Sequence, residues 1–456
     1  MRIQINNHFI LAFFIITAIS LYPQGLPFEK IYPTIGYSYG SDVIEKKDGG
    51  FLIAGRITPF STSVLIVNVD LNGNLLSEKS PCPGAVVSII RHDTSNYLLA
   101  GIAPTSYPNI LLLDVNSYGD TSWTKIIRMP HDLNVAKIIN TSDGGFAITG
   151  YVINGGWNAH LIKLDKNCDT IWMKTYYDPG VTEGKDILEL PDKGFIIAGP
   201  TWYGTDLDYS ASYIIRTDSL GNRLWTKSYN INGNANCNAI ATSPEGGFVI
   251  AFQSYIIGTS NSESYLLNIN GNGDSVWVKK FDLNKPYLIN SIKRIIDGYI
   301  MTGDSAIIKT DFNGNTIWYS NIDGEGLSVK QTSDNGYVVS GNIDGNLGIL
   351  LVKSDKNGIT SVDKTISTPN KYSLYQNYPN PFNPTTSINF SVPKSGLVKI
   401  KVYDLLGREV ATLVNENKPA GNYHMQFNAS KLVSGVYFYR MESGSYTQTK
   451  KLLLLK

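Results

Sequence analysis

Cysteine is scarce: Cys82, Cys168 and Cys237 are the only three, and no two stand in a C-x-x-C spacing. That excludes a disulfide framework and a thiolate metal site. Histidine is scarce as well, with His8, His92, His131, His160 and His424 scattered and no H-E-x-x-H. No metal and no cofactor is expected from such a set. Charged residues make up 17% of the 456 and the formal net charge is +1. This excludes a disordered polyelectrolyte and a basic nucleic-acid binder, so no nucleic-acid partner is expected. After residue 22 no apolar run approaches the ~18–20 residues of a spanning helix, so no transmembrane segment is expected in the mature chain.

What is present is glycine, 42 residues, and tyrosine, 28, against a 42% hydrophobic content. That is the composition of an all-β protein. The charge is uneven. From residue 370 onward eleven Lys and Arg face four acids, a surplus of +7, which leaves −6 for the remainder. Two units with separate tasks are implied. Arg2 followed by the apolar stretch from Phe9 to Tyr22 reads as a signal peptide over residues 1–20. The small residues Ala18 and Ser20 suit cleavage before Leu21, and a cut near Gly25 is the alternative.

A phrase recurs along the body. Asp48-Gly-Gly-Phe-Leu-Ile-Ala-Gly55 returns at Asp143–Gly150, Asp192–Gly199, Glu245–Ala251 and Asp334–Gly341, with weaker copies at Ser95–Gly101 and Asp297–Gly303. The seven aromatic positions 51, 97, 146, 195, 248, 299 and 337 are spaced by 46, 49, 49, 53, 51 and 38 residues. That is about the length of a four-stranded propeller blade. The copies are followed by a run such as His160-Leu-Ile-Lys-Leu-Asp165 and a turn such as Asp311-Phe-Asn-Gly-Asn315, and in several repeats then by Trp-x-Lys, as in Trp172-Met-Lys174, Trp225-Thr-Lys227 and Trp277-Val-Lys279. Four strands per repeat follow, termed a, b, c and d, with b carrying the Phe-x-Ile-Ala-Gly phrase and d the Trp-x-Lys. Asp in these turns is expected to cap its own backbone rather than hold calcium, since the spacing and distal Glu of a calcium loop are missing.

The last repeat has no Trp-x-Lys, and Phe28-Glu-Lys-Ile-Tyr32 stands alone before the first repeat. An N-terminal strand that completes the last blade would close the ring and remove both sheet edges. The expected fold is therefore a seven-bladed β-propeller over residues 26–362, closed by its N-terminal strand. The segment Gly36-Tyr-Ser-Tyr-Gly40 matches G-x-S-x-G, but no helix pattern follows it. Ser38 is expected in a loop between strands and not as a nucleophile.

Two sets of candidate binding residues follow from this topology. The b–c loops vary in length and carry Tyr107, Trp157, Trp202, Tyr203 and Tyr255, and variable loops on a rigid scaffold are where binding concentrates. Strand a lines the central channel. Nine residues before each blade aromatic, or eight in the sixth copy, stand Asp42, Ser88, Lys137, Asp186, Ala239, Ser291 and Ser328, each followed by an apolar residue. Period-two alternation turns this ring to the channel, where Asp42, Lys137 and Asp186 are candidates for an ion or ligand.

Residues 363–371 form a Ser/Thr-rich linker. The remainder, 372–456, alternates as about six short strands, the pattern of a small Ig-like β-sandwich. Its motifs are Asn377-Tyr-Pro-Asn-Pro-Phe-Asn383, Val402-Tyr-Asp-Leu-Leu-Gly-Arg-Glu409, Leu432-Val-Ser-Gly-Val-Tyr437 and Lys450-Lys451. These closely resemble the type A C-terminal sorting domain of the type IX secretion system, found in Bacteroidota. The matching positions include Pro379, Asn380, Pro381, Asp404, Gly407, Gly435, Tyr437, Lys450 and Lys451. The resemblance implies passage through the periplasm and recognition by the outer-membrane translocon. It also implies removal of the domain by a sortase-like peptidase and an extracellular or outer-membrane surface destination. The expected activity is a non-catalytic binding or adhesion module for a glycan or protein. A secreted polysaccharide hydrolase or lyase and a structural surface-layer component are the alternatives.

Overall fold

The computed structural model describes residues 26–360 and 372–456, apart from 35, 59–61, 105–108, 179, 204–208, 232–233, 256–261, 282–287, 344–347, 378–379 and 419–420. The signal segment, the linker, Tyr107 and Pro379 lie outside the described residues. Every regular element described is a strand. In the body the first, second, third and fifth repeats each form an antiparallel sheet in the order a-b-c-d, and the fourth adds the short Val181–Thr182 beside Asp186–Glu189, both paired to Phe195–Tyr203. The first runs Tyr37–Glu45, Phe51–Thr58, Ser63–Val69 and Leu75–Lys79, and the third runs Leu133–Asn140, Phe146–Ile153, Trp157–Leu164 and Thr170–Tyr176.

Both phrases of the repeat now have a physical cause. The Lys of strand c reaches back to the Asp of the a–b turn. Lys163 Nζ lies 2.9 Å from Asp143, Lys309 Nζ 2.8 Å from Asp297, and Lys353 Nζ 2.9 Å from Asp334. The c–d turns are self-capped: Asp70 Oδ1 accepts from the N–H of Asn72 and of Asn74 at 2.9 and 2.8 Å. Between successive sheets the aliphatic faces interdigitate. Ile53 and Leu65 pack toward the last sheet's Leu351, while Leu52 and Ile66 pack on Ile89 and Leu99 of the second.

The last two repeats share one six-stranded sheet. Gly298–Thr310 doubles back, since Gly298 at one end lies against Thr310 O at the other. Thr316–Gln331 pairs with Ala306–Thr310 through its first half and with Tyr337–Asn342 through its second. The outermost strand is Phe28–Pro33, antiparallel to Gly348–Ser354 from Phe28 opposite Lys353 to Pro33 opposite Gly348.

The a strands touch in a cycle. Tyr37–Glu45 meets Ala85–Arg91, then Leu133–Asn140, Asp186–Glu189, Asn234–Thr242, Ile289–Ile295 and Thr316–Gln331, which returns to Tyr37–Glu45. Radial antiparallel sheets in a closed cycle define a β-propeller. One expectation is corrected here. Ser38 does not sit in a loop: it is buried within strand Tyr37–Glu45, because that strand begins as soon as the chain leaves Gly36.

The tail has its own core. A sheet of Ser373–Leu374, Thr385–Val392 and Gly421–Asn428 and a sheet of Glu409–Lys418, Gly396–Tyr403, Gly435–Ser443 and Tyr446–Leu454 bury Ile388, Phe390, Ile400, Tyr439, Met441 and Leu452 together.

Candidate functional site

Strand a is the inner edge of its sheet, so alternate N–H groups lack a ladder partner. The ring residues supply one. Asp42 Oδ1 accepts from Val43 N–H at 2.9 Å and Oδ2 from Ile89 N–H of the next sheet at 3.0 Å. Asp186 repeats this with Ile187 N–H at 3.0 Å and Ile240 N–H of the next sheet at 3.2 Å. A β-bulge precedes the ring position in the first, second, third and fifth sheets, between Tyr39 and Asp42, Val86 and Ser88, Val135 and Lys137, and Cys237 and Ala239. Bulges re-aim the residue that follows them.

The ring converges on Asp42. Ser88 Oγ and Lys137 Nζ reach Oδ2 at 3.1 and 3.3 Å. Ser328 Oγ and Lys330 Nζ reach Oδ1 at 2.6 and 3.0 Å. Lys330 also donates to Ile89 O at 3.1 Å. Lys293 Nζ stands 4.0 Å from Asp186 Oδ2. Burial alone would raise the Asp42 carboxyl, but Lys137, Lys330, the Ser328 hydroxyl and the Ile89 N–H outweigh it and hold the group far below the usual carboxylate range. Burial pushes Lys330 down to about 8, against the pull of Asp42 and with added repulsion from Lys137 and Lys293. Lys137, which faces both Asp42 and Asp186, is raised although burial opposes it.

The structure thus brings Asp42 and Lys137 into contact and sets Asp186 within the same ring. Lys293 and Lys330 were missed in the sequence. Their signal was the same period two: each stands two residues beyond a ring serine, in Ser291-Ile-Lys293 and Ser328-Val-Lys330.

The aromatic candidates sit at strand ends and not inside loops. Trp157 opens strand c of the third sheet, Trp202 and Tyr203 close Phe195–Tyr203, and Tyr255 closes Phe248–Tyr255. The strands simply run further than the turn residues suggested. Trp157 is 39% exposed and lies parallel to Tyr151, centroids 4.7 Å apart at 8°. Tyr177 beside them is 58% exposed and accepts from Asn154 Nδ2 at 3.0 Å. Trp202 and Tyr203 are half-buried, and the Tyr203 hydroxyl meets Ser228 Oγ at 3.1 Å. The Tyr255 hydroxyl donates to Gln253 Oε1 at 2.7 Å. On the same face Asp304 and Glu325 are cross-strand partners. Burial raises the Glu325 carboxyl, and the charge of Asp304 adds to it against the hydrogen bond from Asn290. An open surface depression lined by Ile31, Ser305, Ile322, Asp323, Gly324 and Ile343 adjoins them.

The tail motifs fasten one another. Asn380 Oδ1 accepts from Leu453 N–H at 2.8 Å and its Nδ2 donates to Lys451 O at 3.2 Å. Beyond the exposed Pro381, Phe382 exchanges backbone bonds with Leu453 and Leu455. Asp404 Oδ1 accepts from Leu406 N–H and Arg408 N–H, a turn that needs the left-handed Gly407 at φ +78°. Gly435 takes φ +158°, and the Tyr437 hydroxyl donates to Val433 O at 2.9 Å. Lys450 is half-buried and Lys451 exposed.

The chain thus joins a propeller to an all-β tail with its own core. Residues 376–455 match the family model described as the secretion system C-terminal sorting domain. The chain carries a type IX secretion tail, which directs it to the cell surface or extracellular space through contact with the secretion system. Among solved structures it is similar to PorZ of Porphyromonas gingivalis, described as an essential bacterial surface component of the type IX secretion system. The identity is 12% and the TM-score 0.44, over 90% of this chain and 58% of that one. It is also similar to the Pan2 WD40 domain of Neurospora crassa, 11% identical with a TM-score of 0.46, over 71% of this chain and 97% of that one. Sqt1 of Chaetomium thermophilum is 8% identical with a TM-score of 0.46, over 71% and 98%. No curated relative matches the chain in sequence. Among the described residues no helix is long and apolar enough to cross a membrane.

Proposed function

We propose that this is a surface-displayed, non-catalytic binding module, with a seven-bladed propeller over residues 26–362 that carries the binding face. In this reading the signal over 1–20 is removed on export. The tail, 372–456, is an Ig-like sandwich read by the outer-membrane translocon, and a sortase-like peptidase cuts the linker at 363–371. The ligand is a glycan or a surface protein. The observation that carries the reading is the rigid stack of Trp157 on Tyr151, with Tyr177 alongside. Stacked rings offer apolar area at small entropic cost, the property sugars and protein loops select. Trp202, Tyr203 and Tyr255 belong to the same face.

The test is a glycan array with the exported protein beside Trp157→Ala and the double variant Trp202→Ala/Tyr203→Ala. Selective binding lost in Trp157→Ala supports the reading. Binding lost only in the double variant moves the site to the fourth sheet. A blank array, followed by no capture of outer-membrane proteins, leaves a structural surface-layer role. The hydrolase or lyase reading draws on one observation, the Asp304–Glu325 pair beside the depression. Release of reducing ends from a polysaccharide panel, abolished in Glu325→Gln, would favour it.

A further inference from the structure

Asp42 is already filled, and this decides what the channel can hold. Its Oδ1 takes Val43 N–H, Ser328 Oγ and Lys330 Nζ, and its Oδ2 takes Ser88 Oγ, Ile89 N–H and Lys137 Nζ. A carboxylate offers about four lone-pair sites. Six donors therefore leave none for a cation. Asp186 accepts Ile187 N–H on Oδ1 and Ile240 N–H on Oδ2, one strand-edge donor for each oxygen.

The ammonium groups are in the opposite state. Each has three N–H donors. Lys330 uses two of them on Asp42 and Ile89 O, Lys137 has one contact with Asp42 at 3.3 Å, and Lys293, among the described residues, has the 4.0 Å approach to Asp186. Their side chains keep 25%, 19% and 32% exposure, whereas those of Asp42 and Asp186 keep 1% and 8%. The carboxylates are thus sunk in the strand edges, and the cations stand toward the open channel. Three ammonium groups against two carboxylates leave one positive charge unmatched.

We propose that Lys137, Lys293 and Lys330 form a binding site for a small oxyanion, either free phosphate or the terminal carboxylate of an organic ligand. The physical case is preorganisation. Asp42 holds Lys137 and Lys330 in place, so little further ordering of these two is required on binding. An oxyanion would accept the unused N–H groups in charge-assisted bonds and neutralise the surplus charge. A metal ion would meet three cations and an Asp42 carboxylate already filled by its donors. Among the described residues no group of three His, Cys, Asp or Glu stands ready to hold one. This site is separate from the aromatic face.

The test is calorimetric titration of the exported protein with inorganic phosphate, with acetate and with calcium, at constant ionic strength. Phosphate or acetate is expected to bind, and whichever binds identifies the source of the oxyanion. Lys293→Gln, whose contact with Asp186 is long, is expected to keep its unfolding midpoint and to lose about tenfold in affinity. Lys431→Gln, in the tail, is expected to change nothing. In the wild type the bound anion is also expected to raise the thermal midpoint, where chloride does not. Absence of heat with both anions, equal affinity in Lys293→Gln, or calcium uptake in place of anion uptake would overturn the assignment.

Discussion

The ring of Phe28 covers Gly73 so closely that a β-carbon on Gly73 would stand 2.6 Å from it. Tyr32 donates its hydroxyl to Gly73 O at 2.7 Å, and Lys30 Nζ reaches Asn74 Oδ1 at 2.8 Å. The same three contacts recur within the ring. Trp172 covers Gly221, Tyr176 donates to Gly221 O at 3.0 Å, and Lys174 reaches Asn222 at 3.1 Å. Phe28-Glu-Lys-Ile-Tyr32 is thus a d strand in every respect but the identity of its first ring. It joins the last sheet to the first turn as each d strand joins its sheet to the next.

This predicts what closure contributes. Phe28→Ala should destabilise the propeller by about 3 kcal/mol, the cost of a large-to-small change at a buried ring. Deletion of residues 26–33 should leave strand Gly348–Ser354 as an open edge and produce self-association. Urea denaturation reads the first and size-exclusion chromatography the second. An unchanged midpoint together with a monomeric deletion variant would refute the closure argument.

Asp42 predicts an acid limit to stability. Its folded-state carboxyl is held far below the ordinary value. Such a group contributes stability that is complete above the unfolded pKa of about 3.9 and is lost as pH falls from there toward the folded value. Asp42→Asn leaves Lys137 and Lys330 without their counter-charge and should cost about 3 kcal/mol or more at neutral pH. The variant should also show a flatter stability profile below pH ~4. Parallel profiles for the two proteins would mean that other carboxylates govern the acid limit.

His160 predicts a second, milder pH dependence. It is buried in strand c of the third sheet, and burial pushes its imidazole down to about 4. The unfolded value is about 6.5, so between the two the unfolded chain binds more protons and stability rises with pH. The contribution is complete above pH ~6.5, and up to about 3 kcal/mol is lost on descent to pH ~4. Leu111 holds the equivalent place in the second sheet, opposite Gly101 as His160 is opposite Gly150. His160→Leu should therefore fold and remove this slope. A slope that persists in the variant would assign it elsewhere.

The repeat made most of this legible. Its period placed the strands, its alternation placed Asp42, Lys137 and Asp186 on one ring, and the unmatched Phe28-Glu-Lys pointed to closure. Lys293 and Lys330 stayed hidden for a physical reason. Alternation says which face a residue takes, but not that the first and last repeats become neighbours in the closed ring, and it is this closure that brings Lys330 Nζ to 3.0 Å from Asp42 Oδ1. The aromatic residues were misplaced for a different reason. Turn residues mark where a strand is permitted to end, whereas Trp157 and Tyr203 extend their ladders through pairing with Ile153 and Tyr209.

The tail predicts how fold and export are linked. Asn380 holds the terminal strand through Leu453 N–H and Lys451 O, and Phe382 reinforces it on both sides of the same residues. The strand Tyr446–Leu454 is the outer strand of its sheet, and beside these bonds Gln376 Nε2 donates to Lys451 O at 2.6 Å and Leu374 N–H to Gln448 Oε1 at 2.9 Å. Asn380→Ala removes two side-chain bonds and should cost about 1–3 kcal/mol of tail stability. It should also increase proteolysis of the last ten or so residues, since the least protected strand opens first. If the secretion system reads the assembled tail, the variant should accumulate in the periplasm while its propeller remains folded. Normal surface delivery of a variant with a frayed terminal strand would show instead that the system reads a linear segment.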